Sequence, residues 1–173
     1  MSNEHAAEMP PLDLASATQM WDDYRQSCAS DPGDYVVEYF GDSPALADSL
    51  LREVTHGQKH ATSSLENEYL AENEPLPQVG SHWIACDGTG TPQVILRTSE
   101  VTLRSFDQVD AEFAYAEGED DRSLASWRRE HEKFWKRTQQ ADFAKQWEPA
   151  ITSIPGERIV CESFEVVWPR KQI

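Results

Sequence analysis

Between Ser123 and Thr138, the residues Leu124, Trp127, His131, Phe134 and Thr138 recur at alternating spacings of three and four. At that period side chains line up along one face of an α-helix, so the segment predicts an amphipathic helix with one buried stripe. Arg129, Lys133, Lys136 and Arg137 fall on another face and form a basic, solvated ridge. A buried stripe needs an apolar surface to cover it. Strand material supplies one: Trp83-Ile84-Ala85-Cys86, then Val94-Ile95-Leu96 continuing through Val101 and Leu103, then Ile159-Val160-Cys161 and Phe164 to Trp168. The turn Asp87-Gly88-Thr89-Gly90 joins the first two runs in a hairpin pattern. Helix-period and strand-period segments together predict an α+β fold.

The rest of the chain follows from local signals. Residues 1–12, ending in Met9-Pro10-Pro11, are polar and proline-broken and read as a flexible tail. Leu12 to Cys28 predicts a helix with Leu14, Met20, Trp21 and Tyr24 on a partly apolar face, and Tyr35 to Phe40 predicts a strand. Ser43-Pro44 is a helix start, serine capping and proline in the first turn, with Leu46, Leu50, Leu51 and Val54 along one face. Gly57 suits the left-handed residue that ends a helix, so the helix should stop at about His56. Residues 63 to 72 predict another short helix, and Pro75, Pro77 and Gly80 punctuate the link that follows. With 173 residues and 39% hydrophobic content, one sizeable core is expected, hence a single domain over 13–173 with an N-terminal helical extension.

Three widely spaced cysteines, Cys28, Cys86 and Cys161, offer neither a disulfide framework nor a zinc knuckle and fit a reducing compartment. No apolar stretch approaches the roughly 18 residues a membrane helix needs, so the protein is expected in the cytoplasm with no membrane partner. A net charge of -16 argues against a general RNA coat unless bases are clustered. They are: the first fifty residues hold only Arg25, whereas Arg122, Arg128, Arg129, Lys133, Lys136 and Arg137 crowd into one segment. Arg122, Arg129, Lys133 and Lys136 are therefore the candidate RNA contacts.

Gly57-Gln58-Lys59-His60-Ala61-Thr62 resembles the GxKxxT motif of the ASCH domains. Phe40 to Asp48, Glu74-Pro75-Leu76-Pro77 with Val79-Gly80, and Phe113 to Leu124 with its Ala116-Glu117-Gly118-Glu119 core are similar to a longer bacterial branch of that family. Together they cover most of the chain from about residue 20. The resemblance implies a PUA-like fold, a small β-barrel flanked by helices, with the motif in the cleft between them. It also implies an amidohydrolase that removes the acyl group from the N4 amine of acylated cytidine. Motif to motif, the catalytic roles fall on Lys59, Thr62 and Glu119, with Glu117 two residues away as the competing glutamate. Gly57, Ser64, Tyr69, Tyr115 and Glu117 are then the candidate substrate contacts, and Ser64 stands where many shorter members have arginine. Tyr69 and Tyr115 can either stack on a nucleobase or pack.

Amide cleavage needs a nucleophile, a proton acceptor and stabilisation of the tetrahedral oxyanion. Lys59 and Thr62 are three apart, so a helical turn would set them on one face, whereas a strand would point them to opposite faces. One version of the chemistry has neutral lysine as base and protonated glutamate as acid. The other has charged Lys59 stabilising the oxyanion while ionised Glu119 accepts the proton. His56 and His60 share a metal-binding spacing, but Gly57 should break the helix between them, so neither a metal nor a cofactor is expected. The expected partner is a small nucleoside. An RNA-binding module or an endoribonuclease of the same family is the competing reading, with Lys59 then facing a phosphorane.

Overall fold

The computed structural model describes residues 8–139, 147–149 and 157–170; residues 1–7 of the expected tail lie outside them. Within the tail's described part, Tyr39 Oη donates to Pro10 O at 2.6 Å. The elements are α1 (Leu14–Ser27), β1 (Tyr35–Tyr39), α2 (Pro44–Thr55), β2 (Ala61–Leu65), α3 (Glu66–Ala71), β3 (His82–Cys86), β4 (Pro92–Arg104), a 3₁₀ turn (Phe106–Gln108), α4 (Ala111–Glu117), α5 (Leu124–Thr138) and β5 (Ile159–Trp168). The fold is mixed α+β, and the strand order is β1-β3-β4-β5-β2.

Two compact units divide the chain. One comprises the described residues of Met1–Gly57, Val79–Ser99 and Phe164–Ile173. In it β3 pairs parallel with β1 and antiparallel with β4. Every residue of β3 is buried, which explains its near-continuous apolar run. Alternation divides it between two clusters: Ile84, with Ile95 of β4, packs on Ala17, Trp21 and Tyr24 of α1, whereas Trp83 and Ala85 pack with Leu51 and Val54 of α2. Asp13 caps α1 and Ser43 caps α2, each side chain accepting from a backbone N–H three residues on. Gly57 has no positive φ, which corrects the expected left-handed stop. A Cβ there would stand 2.9 Å from Glu53 O, so close approach accounts for the glycine.

The other unit is Gln58–Gln78 with the described residues of Glu100–Ser163. Here β2 pairs antiparallel with β5, and Ala61, Leu65, Ile159 and Cys161 share the face that meets Phe106, Val109, Phe113, Ala114, Trp127 and Trp135. The short helix expected over 63 to 72 begins only at Glu66; residues 61 to 65 are strand because they complete the β5 ladder. On α5 the buried line is Trp127, His131 and Trp135, with Leu124 and Phe134 half-buried and Thr138 exposed. The stripe is turned by about one residue from the expected one, because Trp135 fills the core that Thr138 cannot. Glu66 closes the unit's edge with a two-oxygen grip on Arg158, at 2.7 and 2.9 Å.

Candidate functional site

Helix α4 delivers the site. Asp110 caps it, accepting from Phe113 N at 2.9 Å, and it ends at Gly118 in the left-handed region, φ 68° and ψ 18°. A Cβ on Gly118 would lie 3.0 Å from Lys59 N and 3.1 Å from Lys59 Cα, so the position demands glycine for handedness and for space. His60 N donates to Ala116 O at 2.9 Å in the same contact. The motif segment thus lies on the last turn of α4, which brings Lys59 to two glutamates 58 and 60 residues downstream.

Lys59 Nζ donates to Glu117 O at 3.3 Å and to Glu119 Oε1 at 3.4 Å, and stands 3.7 Å from Glu117 Oε1. The Lys59 and Glu117 side chains are 1% and 2% exposed, that of Glu119 29%. Glu117 accepts from Ser63 Oγ at 3.0 and 3.1 Å, from His131 Nε2 at 3.1 Å and from Trp127 Nε1. Each of these hydrogen-bond partners donates to the carboxylate, which is the environment of an ionised one. Burial would raise its pKa, but the charges of His131 and Lys59 and the hydrogen bonds from His131 and Trp127 outweigh burial and hold it at about 2.

His131 is the second cation. Its Nδ1 lies 2.8 Å from Trp127 O, its Nε2 3.1 Å from Glu117 Oε1 and 3.7 Å from Glu119 Oε2, so both nitrogens face acceptors and imidazolium satisfies both. Burial opposes that charge, but Glu117, then Glu119 and the Trp127 carbonyl, hold the ring above the ordinary histidine range. The imidazole also stacks on Trp127, centroids 4.2 Å apart at 16°. Two cations and two anions close a neutral set, with Lys59, Glu117 and His131 buried and Glu119 partly exposed, which is how three buried charged groups share one apolar unit.

The candidate residues fall into five places. Lys59, Glu117 and Glu119 come together. Thr62 lies on β2 in register with Glu162, on the strand face opposite Ser63, so the turn that would set it beside Lys59 is not formed. Ser64 shares that face, its Oγ 3.0 Å from Tyr69 Oη. Tyr115 is exposed and carries the Arg122 guanidinium 3.6 Å over its ring, while Arg122 Nη2 donates to Gln58 Oε1 at 3.2 Å. Arg129, Lys133 and Lys136 line an open groove on α5 with Glu132 and Arg137. Gly57 closes α2 upstream of all of them.

Ser63, Trp127 and His131 join the site without a motif to mark them. Ser63 was hidden by the helix expected over its segment. By spacing His131 is one position of an apolar stripe, and its signal is a titratable ring one turn after a tryptophan on a face that has to be buried. The Glu117, Glu119 and His131 ligand atoms lie within 4.8 Å of one another, a spacing a metal ion could use. Lys59 already balances the two carboxylates and His131 directs N–H groups at acceptors, so an incoming cation would have to displace the ammonium and deprotonate the ring. His60 Nδ1 turns instead to Gln58 O at 2.9 Å.

A family model for the ASCH domain matches residues 36–168. Among solved structures, the ASCH domain from Lactobacillus crispatus JV V101 is 26% identical with a TM-score of 0.76, covering 92% of this chain and 98% of its own. Protein EF3133 from Enterococcus faecalis V583 is 32% identical with a TM-score of 0.71, covering 89% of each chain. No curated protein matched. The family model runs from β1 to the end of β5 and takes in the whole Lys59, Glu117, Glu119 and His131 cluster: the chain belongs to the ASCH domain family.

Proposed function

We propose that this chain is an amidohydrolase that removes the acyl group from N4-acylated cytidine, with Lys59 and Glu119 as its catalytic pair. One observation carries the reading: a buried lysine ammonium lies 3.4 Å from a carboxylate that is itself 29% exposed, and so within reach of a substrate. Of the two versions of the chemistry, the geometry favours charged lysine, since Nζ stands within 3.3 to 3.7 Å of three oxygen acceptors, Glu117 O, Glu119 Oε1 and Glu117 Oε1. Glu119 takes a proton from water as the oxygen attacks the acyl carbonyl. Lys59 stabilises the negative charge that develops on the carbonyl oxygen. Collapse breaks the C–N4 bond, the proton passes from Glu119 to N4, and cytidine and a carboxylic acid leave. Water is the nucleophile in this scheme, because Thr62 projects from the other face of β2. A neutral nucleoside needs no basic footprint, which suits a net charge of -16.

A second reading, RNA binding, draws on the α5 groove, where Arg129, Lys133, Lys136 and Arg137 stand together. Incubating the protein with N4-acetylcytidine and with a structured RNA side by side separates the two. Cytidine release that Lys59→Ala abolishes is the expected result. Strand scission or a mobility shift without cytidine release would replace it with the RNA reading.

A further inference from the structure

The Glu119 carboxylate is divided between two cations: Oε1 lies 3.4 Å from Lys59 Nζ and Oε2 lies 3.7 Å from His131 Nε2. Lys59 alone would leave it free to turn about one oxygen, with solvent on one side and the buried Glu117 charge repelling it on the other. His131 is fixed for the opposite task. Its Nδ1 is anchored on Trp127 O within its own helix and its plane is fixed by stacking on the Trp127 ring, so Nε2 has a set direction, 3.1 Å from Glu117 Oε1 with Glu119 Oε2 beside it at 3.7 Å. We infer that His131 is a positioning residue for the pair proposed above: its imidazolium holds the Glu119 carboxylate alongside Lys59, and the arrangement lasts only while the ring carries both protons.

The titratable groups around the ring come from every side of the cluster. Glu117 lies on α4, Glu119 in the loop after it and Lys59 before β2. On β5, Cys161 faces Glu117, and burial pushes its thiol up to about 12, so it stays uncharged across the range concerned. When His131 loses a proton, Lys59 is left alone against two carboxylates. Glu117 cannot move, since Ser63 and Trp127 also hold it. Glu119, the exposed partner, is the one that swings out, and the rate falls as pH rises through the histidine's raised range.

The coupling is reciprocal, so it can be read without catalysis. The experiment is a ¹⁵N-imidazole NMR titration of the full chain, with the His131 signals assigned among the five histidines by their loss in His131→Gln, or by selective shifts if that variant does not fold. Expected at pH 7 are two protonated ring nitrogens on His131, and a midpoint that drops by roughly half a pH unit or more in Glu119→Gln. A singly protonated ring at pH 7, or a midpoint unmoved by Glu119→Gln, would overturn the inference. The effect on turnover rests on the deacylation reading: His131→Gln should lower kcat about tenfold or more, leave KM nearly unchanged and abolish the alkaline limb of the rate profile. A wild-type rate and pH profile in that variant would equally overturn it. If wild type releases no cytidine, the deacylation reading fails alone and the titration still decides the positioning role.

Discussion

Glu117 and Glu119 are the same amino acid two positions apart, and their surroundings give them opposite work. Glu117, 2% exposed and ringed by Ser63, Trp127, His131 and Lys59, has no room for a substrate. Glu117→Gln leaves two buried cations short of a partner and should cost about 3–5 kcal/mol in chemical unfolding. Glu119→Gln removes a partly exposed charge, so its stability should stay within about 1 kcal/mol of wild type while deacylation falls by about 10²-fold or more. Equal losses of stability in the two would erase the division of labour. Lys59→Ala should abolish deacylation, and a rate within about tenfold of wild type would remove Lys59 from the mechanism. Gly118→Ala forces a side chain into the left-handed region against the Lys59 backbone, for a loss of roughly 1–3 kcal/mol in the same unfolding measurement. That the Lys59 segment and the Glu117–Glu119 segment belong together was legible because each is a short motif with fixed spacing. The choice between the glutamates was not, since it depends on which carboxylate the last turn of α4 buries, and that is a matter of packing.

Helix α5 shows how periodicity reveals an element and misplaces its centre. The three-and-four pattern found the helix and its two faces, yet Trp135 was missed and Thr138 overcounted, because the stripe follows Trp127 in steps of four residues. The seven-residue α4 escaped notice altogether, being too short for a period to emerge, although Asp110 and Gly118 are its cap signals at either end. The hairpin of β3 and β4 was plain from its turn, and the start of α2 from Ser43-Pro44. The outer face of α5 supports its own prediction. Arg129 is paired with Asp120 and Glu130, and Lys136 with Glu132, at 3.1 to 3.4 Å. Much of the ridge's charge is therefore spent locally. Neutralising Arg129, Lys133 and Lys136 together should leave nucleoside turnover near wild type. If RNA does bind, the same change should flatten its salt dependence by up to about three units of slope. Salt-sensitive, sub-micromolar RNA binding that disappears in the triple variant would favour the RNA reading over the small-molecule enzyme.

The whole chain carries -16, and its stability should respond to pH through both that charge and the buried cluster. Glu117 has its folded pKa depressed to about 2, so its contribution is complete above the ordinary carboxylate range and is lost as pH falls from about 4.5 towards 2. His131 has its folded pKa raised, so its contribution is complete below the unfolded value near 6.5 and is lost as pH rises through the folded one. The two share one ion pair and are counted once, on the order of a few kcal/mol. General repulsion adds to these limbs unequally. Between pH 6 and 4.5, protonation of exposed carboxylates begins to relieve the negative excess while the cluster is still intact, so stability should hold or rise slightly there. Above pH 7 the repulsion persists as the cluster loosens, and both effects act in the same direction. Urea unfolding across pH should therefore give a maximum on the acid side of neutrality with a decline at each end. Added salt should raise the curve without moving its alkaline limb, because salt screens exposed charges far more than buried ones. His131→Gln should lie lower throughout and decline far less above neutrality. An alkaline limb that survives undiminished in that variant would trace it to surface repulsion, and the buried imidazolium would no longer be needed to explain it.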